Sequence, residues 1–169
     1  MAAKKFLRLV SGVITEALGI QASAGAGSAG DIVALDETGR IDASMMPVGI
    51  GADTAQVDAS ENLAAGDWVN VWSDGGDFAV RKADATTAGK STHGFVLSAV
   101  TSGNPATVYF EGTNTQVTGQ TPGNVYLQTT AGVGGATVPS ASGNVVQQIG
   151  VAVSATAVNF ERGLPVTLA

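Results

Sequence analysis

Short apolar runs recur along the chain beyond residue 54, and turn-forming residues separate them. The runs are "DWVNVW" (67–72), "FAVRKA" (78–83), "GFVLSAV" (94–100), "ATVYFEG" (106–112), "NVYLQT" (124–129), "VVQQIGVAVS" (145–154) and "AVNF" (157–160). The segments between them, such as "SDGGD" and "TGQTPGN", are rich in the Gly, Asn, Asp and Ser that hairpin loops use. Seven or eight strands without a convincing helix predict an all-β fold, an antiparallel β-barrel or sandwich, for residues 54–169.

The run "DWVNVW" has apolar side chains on both faces of its predicted strand. Alternation places Trp68, Asn70 and Trp72 on one face and Val69 and Val71 on the other. A strand at the surface of a domain needs only one apolar face. We therefore expect one of the two faces to meet a partner.

The segment 5–17 permits two interpretations. As a helix, it would place four apolar side chains on one face: Leu7, Val10, Ile14 and Leu18. As a hairpin, "LVSGVI" would place Ser11 and Gly12 in a two-residue loop between two strands. The β-branched residues around the loop favour the hairpin.

The first part of the chain also resembles a signal peptide, since basic residues precede an apolar stretch and small residues follow it. Arg8 and Glu16 interrupt that stretch, so we favour a folded segment. No run approaches the roughly 20 apolar residues that span a membrane, and no membrane partner is predicted.

Two further segments define the predicted domain organisation. "QASAGAGSAGD" (21–31) is low in complexity and is typical of a flexible linker or an extended arm. "GIGADTAQ" (49–56) has the composition of a boundary. We therefore predict an N-terminal arm with short hairpins over residues 1–50 and a β-barrel or sandwich body over residues 54–169.

The stretch "IVALDETGRIDASMMP" (32–47) combines several small elements. Residues 32–35 are strand-like, residues 36–39 form a turn, and the chain returns at residues 40–41. Asp42 is a predicted N-cap for one helical turn, Ala43 to Met46, which Pro47 ends.

So small a unit cannot bury its own apolar side chains, because an isolated two-stranded hairpin is marginal at best. We therefore expect it to contact another copy of the chain or a larger assembly. The predicted contact residues are Phe6, Leu7, Arg8, Ile32, Leu35, Ile41, Met45 and Met46.

Charge is distributed unevenly over the 169 residues. The first ten residues carry a net charge of +3, whereas residues 31–84 hold eleven acidic residues against three basic ones, a net charge of −8. Residues 85–160 are nearly uncharged. Phosphate binding needs several basic residues on one face, so nucleic acid is not an expected partner of the body. The chain has no cysteine and hence no disulfide.

Residues 29–54, "AGDIVALDETGRIDASMMPVGIGADT", resemble a short module common in structural proteins of tailed bacteriophages. "LAAGDWVNVW", "TPGNVYLQT" and "QQIGVAVSATAVNF" are similar to β-domains of capsid decoration (cement) proteins, head fibres and some tail-fibre segments. The resemblance implies a virion protein on the outer surface of the capsid, a homotrimer that binds and stabilises the major capsid protein.

Candidate chemistry is sparse, and we expect neither enzyme activity nor a cofactor or metal. His93 stands alone without a triad-like neighbour. "SDGGD" (73–77) offers two carboxylates but too few ligands for calcium, so a hairpin turn is the expectation. The alternative function is a receptor- or glycan-binding module of a head or tail fibre, in which Trp68 and Trp72 form an exposed stacking face.

Overall fold

A computed structural model describes residues 5–46 and 53–169 of the chain. The chain divides into two compact units, Met1–Gly51 and Ala52–Ala169. Two expectations lie outside the described residues, namely the role of Pro47 in ending the helical turn and the first part of the boundary segment, residues 49–52.

The described part of the chain consists of β-strands and two 3-10 helices, Gly25–Ser28 and Ala43–Met45. The predicted all-β class is therefore confirmed. The N-terminal unit holds β1 (Lys5–Val10) and β2 (Val13–Leu18). The body holds β3 (Thr54–Ala59), β4 (Trp68–Asp74), β5 (Asp77–Lys82), β6 (Gly94–Val96), β7 (Pro105–Tyr109), β8 (Thr113–Asn114), β9 (Gly123–Leu127), β10 (Gly134–Gly135), β11 (Val145–Val146), β12 (Gln148–Ser154), β13 (Ala157–Phe160) and β14 (Val166–Thr167).

Five strands of the body close into a barrel in the order β3-β5-β4-β6-β7. Its pairs are antiparallel except β3–β5, which is parallel and short. Buried aliphatic side chains from these strands and the loops between them form the barrel core: Ala59, Leu63, Val69, Val80, Val96, Ala106 and Val108.

A second sheet has the order β10-β9-β12-β13-β8 and packs on the barrel through a second core. Trp68 is central to this core, because its ring lies 5.6 Å from that of Phe95 and 5.5 Å from that of Phe160. Val125, Leu127 and other apolar residues of the second sheet surround these rings. The body therefore combines a barrel with a sandwich-like second layer.

This layering explains the two apolar faces of β4 and corrects the expectation that one of them meets a partner. Val69 packs inside the barrel, and Trp68 packs outward against the chain's own second sheet. Both residues are completely buried. The alternation was predicted correctly, but the layer that covers the Trp68 face comes from residues far along the chain.

The body has more strands than were predicted. Each of the seven predicted runs contains a strand, while β3, β8, β10 and β14 were not predicted. β8, β10 and β14 have two residues each, too few to show apolar periodicity. β3 does alternate, with Ala55, Val57 and Ala59 between polar residues, but it buries only Ala59, and its first part was assigned to the boundary segment.

Candidate interaction surface

β1 and β2 form an antiparallel hairpin with a two-residue loop. The loop residues Ser11 (φ 50°) and Gly12 (φ 83°) both have positive φ angles. That conformation is what a type I′ hairpin turn requires. The hairpin interpretation of this segment is confirmed, and the helix interpretation is wrong.

One face of the hairpin is mainly aliphatic. Residues directly opposite each other share a face, and the pairs Leu7–Glu16, Leu9–Ile14 and Lys5–Leu18 alternate with the pairs of the other face. We call Leu7, Leu9, Ile14 and Leu18 the aliphatic face. These four side chains are 69%, 70%, 70% and 57% exposed, respectively. At the open end of the same face, Lys5 Nζ lies 2.7 Å from Glu16 Oε2.

The opposite face of the hairpin is mixed. Phe6 lies opposite Ala17 and is half-buried, whereas Arg8 lies opposite Thr15 and is exposed. The hairpin thus separates the predicted contact residues, because Phe6 and Arg8 lie on one side and Leu7 lies on the other.

Residues 32–35, the strand-like segment after the linker, pair with a residue that lies before the linker. Ile20 N–H donates to the carbonyl of Ile32 over 2.9 Å, and Ala34 N–H donates to the carbonyl of Ile20 over 2.8 Å. This parallel bridge replaces the predicted pairing of residues 32–35 with residues 40–41. Gly19 permits the close approach, because a Cβ there would lie 2.9 Å from the Cβ of Ala34.

The linker over residues 21–31 contains regular structure, which corrects the expectation of a purely flexible or extended segment. The 3-10 helix Gly25–Ser28 lies within it, and Ser28 Oγ accepts a hydrogen bond from Ala24 N–H over 2.9 Å. Ser23 Oγ accepts one from Gly25 N–H over 3.0 Å. Two serine hydroxyls thus serve as local acceptors for backbone N–H groups of the linker.

Two aspartates fix the turns that follow. Asp36 Oδ1 accepts from the N–H groups of Thr38 (2.8 Å) and Arg40 (2.9 Å), and the bond from Arg40 is the main reason that the pKa of Asp36 is lowered. Asp42 accepts from the hydroxyl and the N–H of Ser44, which lowers the pKa of Asp42. The predicted cap at Asp42 is confirmed, although the turn it starts is the 3-10 helix Ala43–Met45.

Most of the predicted contact residues in this second segment are exposed. Met45 is half-buried. The exposed fractions of the others lie between 41% and 54%: Ile32, Leu35, Ile41 and Met46. Val33, which was not predicted, is 50% exposed.

The N-terminal unit differs from the body in one decisive respect. Among the side chains whose burial the structure describes, the buried apolar ones all belong to the body, between Ala59 and Phe160. Within residues 5–46, no apolar side chain whose burial is described is buried. Exposing aliphatic side chains to water is unfavourable, so this unit is a candidate surface for contact with another molecule.

The two tryptophans do not form an exposed stacking face. Trp68 lies in the core, and Trp72 is half-buried. The Arg81 guanidinium carbon lies 4.3 Å from the centre of the Trp72 ring, and Trp72 Nε1 donates to Ser60 Oγ over 3.1 Å. The expectation that both rings are available to a glycan is therefore wrong for Trp68.

His93 has a structural environment. It is half-buried, and its Nδ1 accepts a hydrogen bond from Val71 N–H over 3.1 Å. Burial, with the charge of Arg162 as a second cause, lowers the pKa of His93. The Nδ1 atom of His93 therefore acts as an acceptor for a backbone donor.

Acidic side chains of the body lie in turns and ion pairs. Asp84 accepts from the hydroxyl and the backbone N–H of Thr86 and from Lys90 Nζ, the last over 3.0 Å. Burial acts to raise the pKa of Asp84, but these bonds outweigh burial and lower it. Burial raises the pKa of Asp67, which Lys82 contacts at 3.6 Å.

"SDGGD" forms a two-residue hairpin loop between β4 and β5, as predicted, with Asp74 directly opposite Asp77. Among the described residues, no three His, Asp or Glu side chains cluster as metal ligands. No helix in the described ranges is long and apolar enough to cross a membrane.

The contact segment expected from the sequence runs from Phe6 to Ile14, so it includes Leu9 and Ile14 without naming them as contacts, and it leaves out Leu18. The signal was present, because a two-residue loop at Ser11 and Gly12 fixes the register and therefore which residues share a face. The exposure of Phe78 was not predicted either, because the residues on its face of the predicted strand resemble core residues.

Comparison with known proteins found no matching family model, no matching curated protein and no matching solved structure. The geometry itself defines an all-β protein with an N-terminal unit most of whose described large apolar side chains are exposed.

Proposed function

We propose that this chain is a structural virion protein that decorates and stabilises the outside of a tailed-phage capsid. It binds the major capsid protein and neighbouring copies of itself, as a homotrimer. The observation that carries the proposal is the contrast between the two units: the body buries its own apolar residues, whereas most of the large apolar side chains described in residues 5–46 are exposed and none is buried.

The distribution of residues suits attachment to a preformed shell. A body with its own core can fold before it meets the shell, and a separate apolar unit can then be covered on contact. The half-buried Met45 and exposed Met46 add adaptable apolar surface to that unit. The resemblance of residues 29–54 to phage structural modules points to the same partner.

The test is co-sedimentation of the purified chain with expanded phage heads that lack it, titrated to saturation. We expect saturable binding at a fixed ratio to capsid subunits, and no binding to unexpanded shells. Deleting residues 1–50 should abolish binding while the body keeps its melting transition. Saturation of heads by the truncated chain would refute the assignment of binding to the N-terminal unit.

A point-variant pair makes this test sharper. Ile32→Thr with Leu35→Thr removes two exposed aliphatic groups from the N-terminal unit and should weaken head binding at least about tenfold. Val153→Thr is the matched control, because Val153 is 64% exposed on the body. The control should bind like the unaltered chain.

A second function, a receptor- or glycan-binding module of a fibre, is favoured by one observation. Phe78 is 83% exposed and lines a cleft of about 320 Å³ together with Trp72 at the tip of β4 and β5. Aromatic rings in such clefts stack on sugars. Host-cell or glycan binding that Phe78→Ala abolishes, without head binding by the unaltered chain, would replace the decoration proposal with this one.

A further inference from the structure

We propose that the N-terminal hairpin is the element through which copies of this chain associate. β1 of one copy pairs along its outer edge with β2 of the next, and the aliphatic faces turn inward to form a shared core. The inference rests on the self-association in the proposed function and names the surface responsible.

The backbone supplies the first argument. Within their bounds β1 and β2 pair only with each other in the described residues, and the bridge from Ile20 to Val33 begins two residues beyond β2, so each strand has an unpaired outer edge. The pair next to a two-residue loop, Val10–Val13, is hydrogen-bonded, so the next pair along, Leu9–Ile14, directs its backbone groups outward. Edges of six residues are ready templates for another strand.

Charge selects which edges meet. β1 carries Lys5 and Arg8 but no acidic residue, and β2 carries Glu16 but no basic residue. Contact between two β1 edges would bring like charges together, and so would contact between two β2 edges. Contact of β1 with β2 of a second copy brings opposite charges together, which favours a head-to-tail arrangement.

The aliphatic face supplies the third argument. A head-to-tail contact that repeats around an axis closes into a ring. One face of every hairpin in the ring then points toward the axis. In each strand, every second residue directs its backbone N–H and C=O groups outward. The aliphatic face is formed by these same residues: Leu7, Leu9, Ile14 and Leu18. Closure with this face inside covers the four exposed Leu and Ile side chains of the hairpin together with the Lys5–Glu16 ion pair, and it leaves the mixed face with Arg8 in solvent.

The first experiment is sedimentation equilibrium of the full chain without phage heads. We expect a mass larger than that of one 16.8 kDa chain, namely that of the proposed homotrimer. Leu9→Thr with Ile14→Thr should reduce it to that of one chain. The matched control is Val10→Thr with Val13→Thr, an adjacent pair on the opposite face, which should keep the mass of the unaltered protein.

Buried tryptophan emission from Trp68 monitors the body in each variant and should not change. A single-chain mass for the unaltered protein would overturn the proposal. Equal masses for the two double variants, whether both associated or both dissociated, would overturn the assignment to the aliphatic face.

The second experiment tests the strand pairing by zero-length carbodiimide coupling. Chains with natural and ¹⁵N-enriched nitrogen are refolded together, coupled and digested. The ion pair within one hairpin, Lys5–Glu16 at 2.7 Å, gives products of uniform isotope and serves as the internal control. Products that join Lys5 of one isotope to Glu16 of the other are expected, and their absence in an associated sample would exclude the β1–β2 contact.

These measurements use no capsid, so their outcome is separable from the proposed function. An associated chain that fails to bind heads would retain the hairpin assignment and reject decoration. A single chain that saturates heads would do the reverse, and would make the capsid itself the partner that covers the aliphatic face.

Discussion

The side-chain amide of Gln147 forms two hydrogen bonds with the backbone of Thr92. Thr92 N–H donates to Gln147 Oε1 over 2.7 Å, and Gln147 Nε2 donates to the carbonyl of Thr92 over 3.1 Å. The same Nε2 donates to the carbonyl of Gly163 over 3.1 Å. Gln147 is completely buried, so this one amide joins the loop before β6 to the segment before β14 inside the body.

Replacing Gln147 with Leu should therefore destabilise the body by about 2–4 kcal/mol, because each buried polar group left without a partner costs about 1–3 kcal/mol. Urea denaturation at pH 7 measures the loss. Gln56→Leu is the control, since Gln56 is exposed and its bond to Thr107 is at the surface, and it should change stability by less than about 0.5 kcal/mol. Similar losses in both variants would contradict the special role of Gln147.

Gly134 leaves space for the central tryptophan. A Cβ at this position would lie 2.8 Å from Trp68 Nε1 and 2.9 Å from Ile149 Cδ1. We expect Gly134→Ala to destabilise the body by about 1–3 kcal/mol, the usual cost of forcing extra volume into a packed core. Near-ultraviolet circular dichroism should change with it, because the environment of Trp68 shifts.

The control for this substitution is Gly27→Ala. A Cβ there would meet only Ala24, at 3.9 Å, which is an ordinary contact. Its thermal transition should match that of the unaltered chain. An unchanged transition for Gly134→Ala would show that the second sheet relaxes around the new methyl group.

Local chemistry predicted much of this fold, and distant contacts account for the rest. The Ser11–Gly12 turn and the Asp42 cap could be identified because the residues that form them lie within a few positions of each other. The parallel pairing of β3 with β5, and the burial of Trp68 by the second sheet, could not be identified. They depend on which strands meet, and alternation within one strand carries no such information.

The same distinction applies to the candidate site. Exposure of the N-terminal apolar residues follows from the small size of their segment, and most of the predicted contact residues are indeed exposed. The division of Leu7 from Phe6 and Arg8 follows from the hairpin register. A list of apolar residues predicts that a segment exposes apolar side chains. Only the strand register identifies which of them share the face that a partner would cover.

His93 should make stability depend on pH. Its pKa is lowered from 6.5 in the folded chain, so between pH 6.5 and the lower folded value the unfolded chain binds more protons. Stability is therefore expected to be constant above this window and to fall as the pH decreases through it. The effect should be absent in His93→Gln, and head binding should be unchanged at neutral pH.

Subtracting the curve of His93→Gln from that of the unaltered chain isolates this effect. The subtraction matters because the pKa of Asp67 is raised by burial, and that group contributes in the opposite direction at lower pH. Chemical denaturation between pH 5 and 8 gives both curves. Parallel curves would mean that the histidine titrates equally in the folded and unfolded chains.

The β4–β5 turn places two like charges against each other, since Asp74 and Asp77 are directly opposite across Gly75 and Gly76. Both carboxylates are exposed, and facing like charges on a hairpin destabilise it. Asp77→Asn should therefore stabilise the body by about 0.2–1 kcal/mol. The gain should shrink when salt is added, because salt screens exposed charges. Melting curves at low and high ionic strength measure it, with and without calcium. A melting temperature that calcium raises in the unaltered chain but not in Asp77→Asn would instead identify the turn as an ion-binding loop.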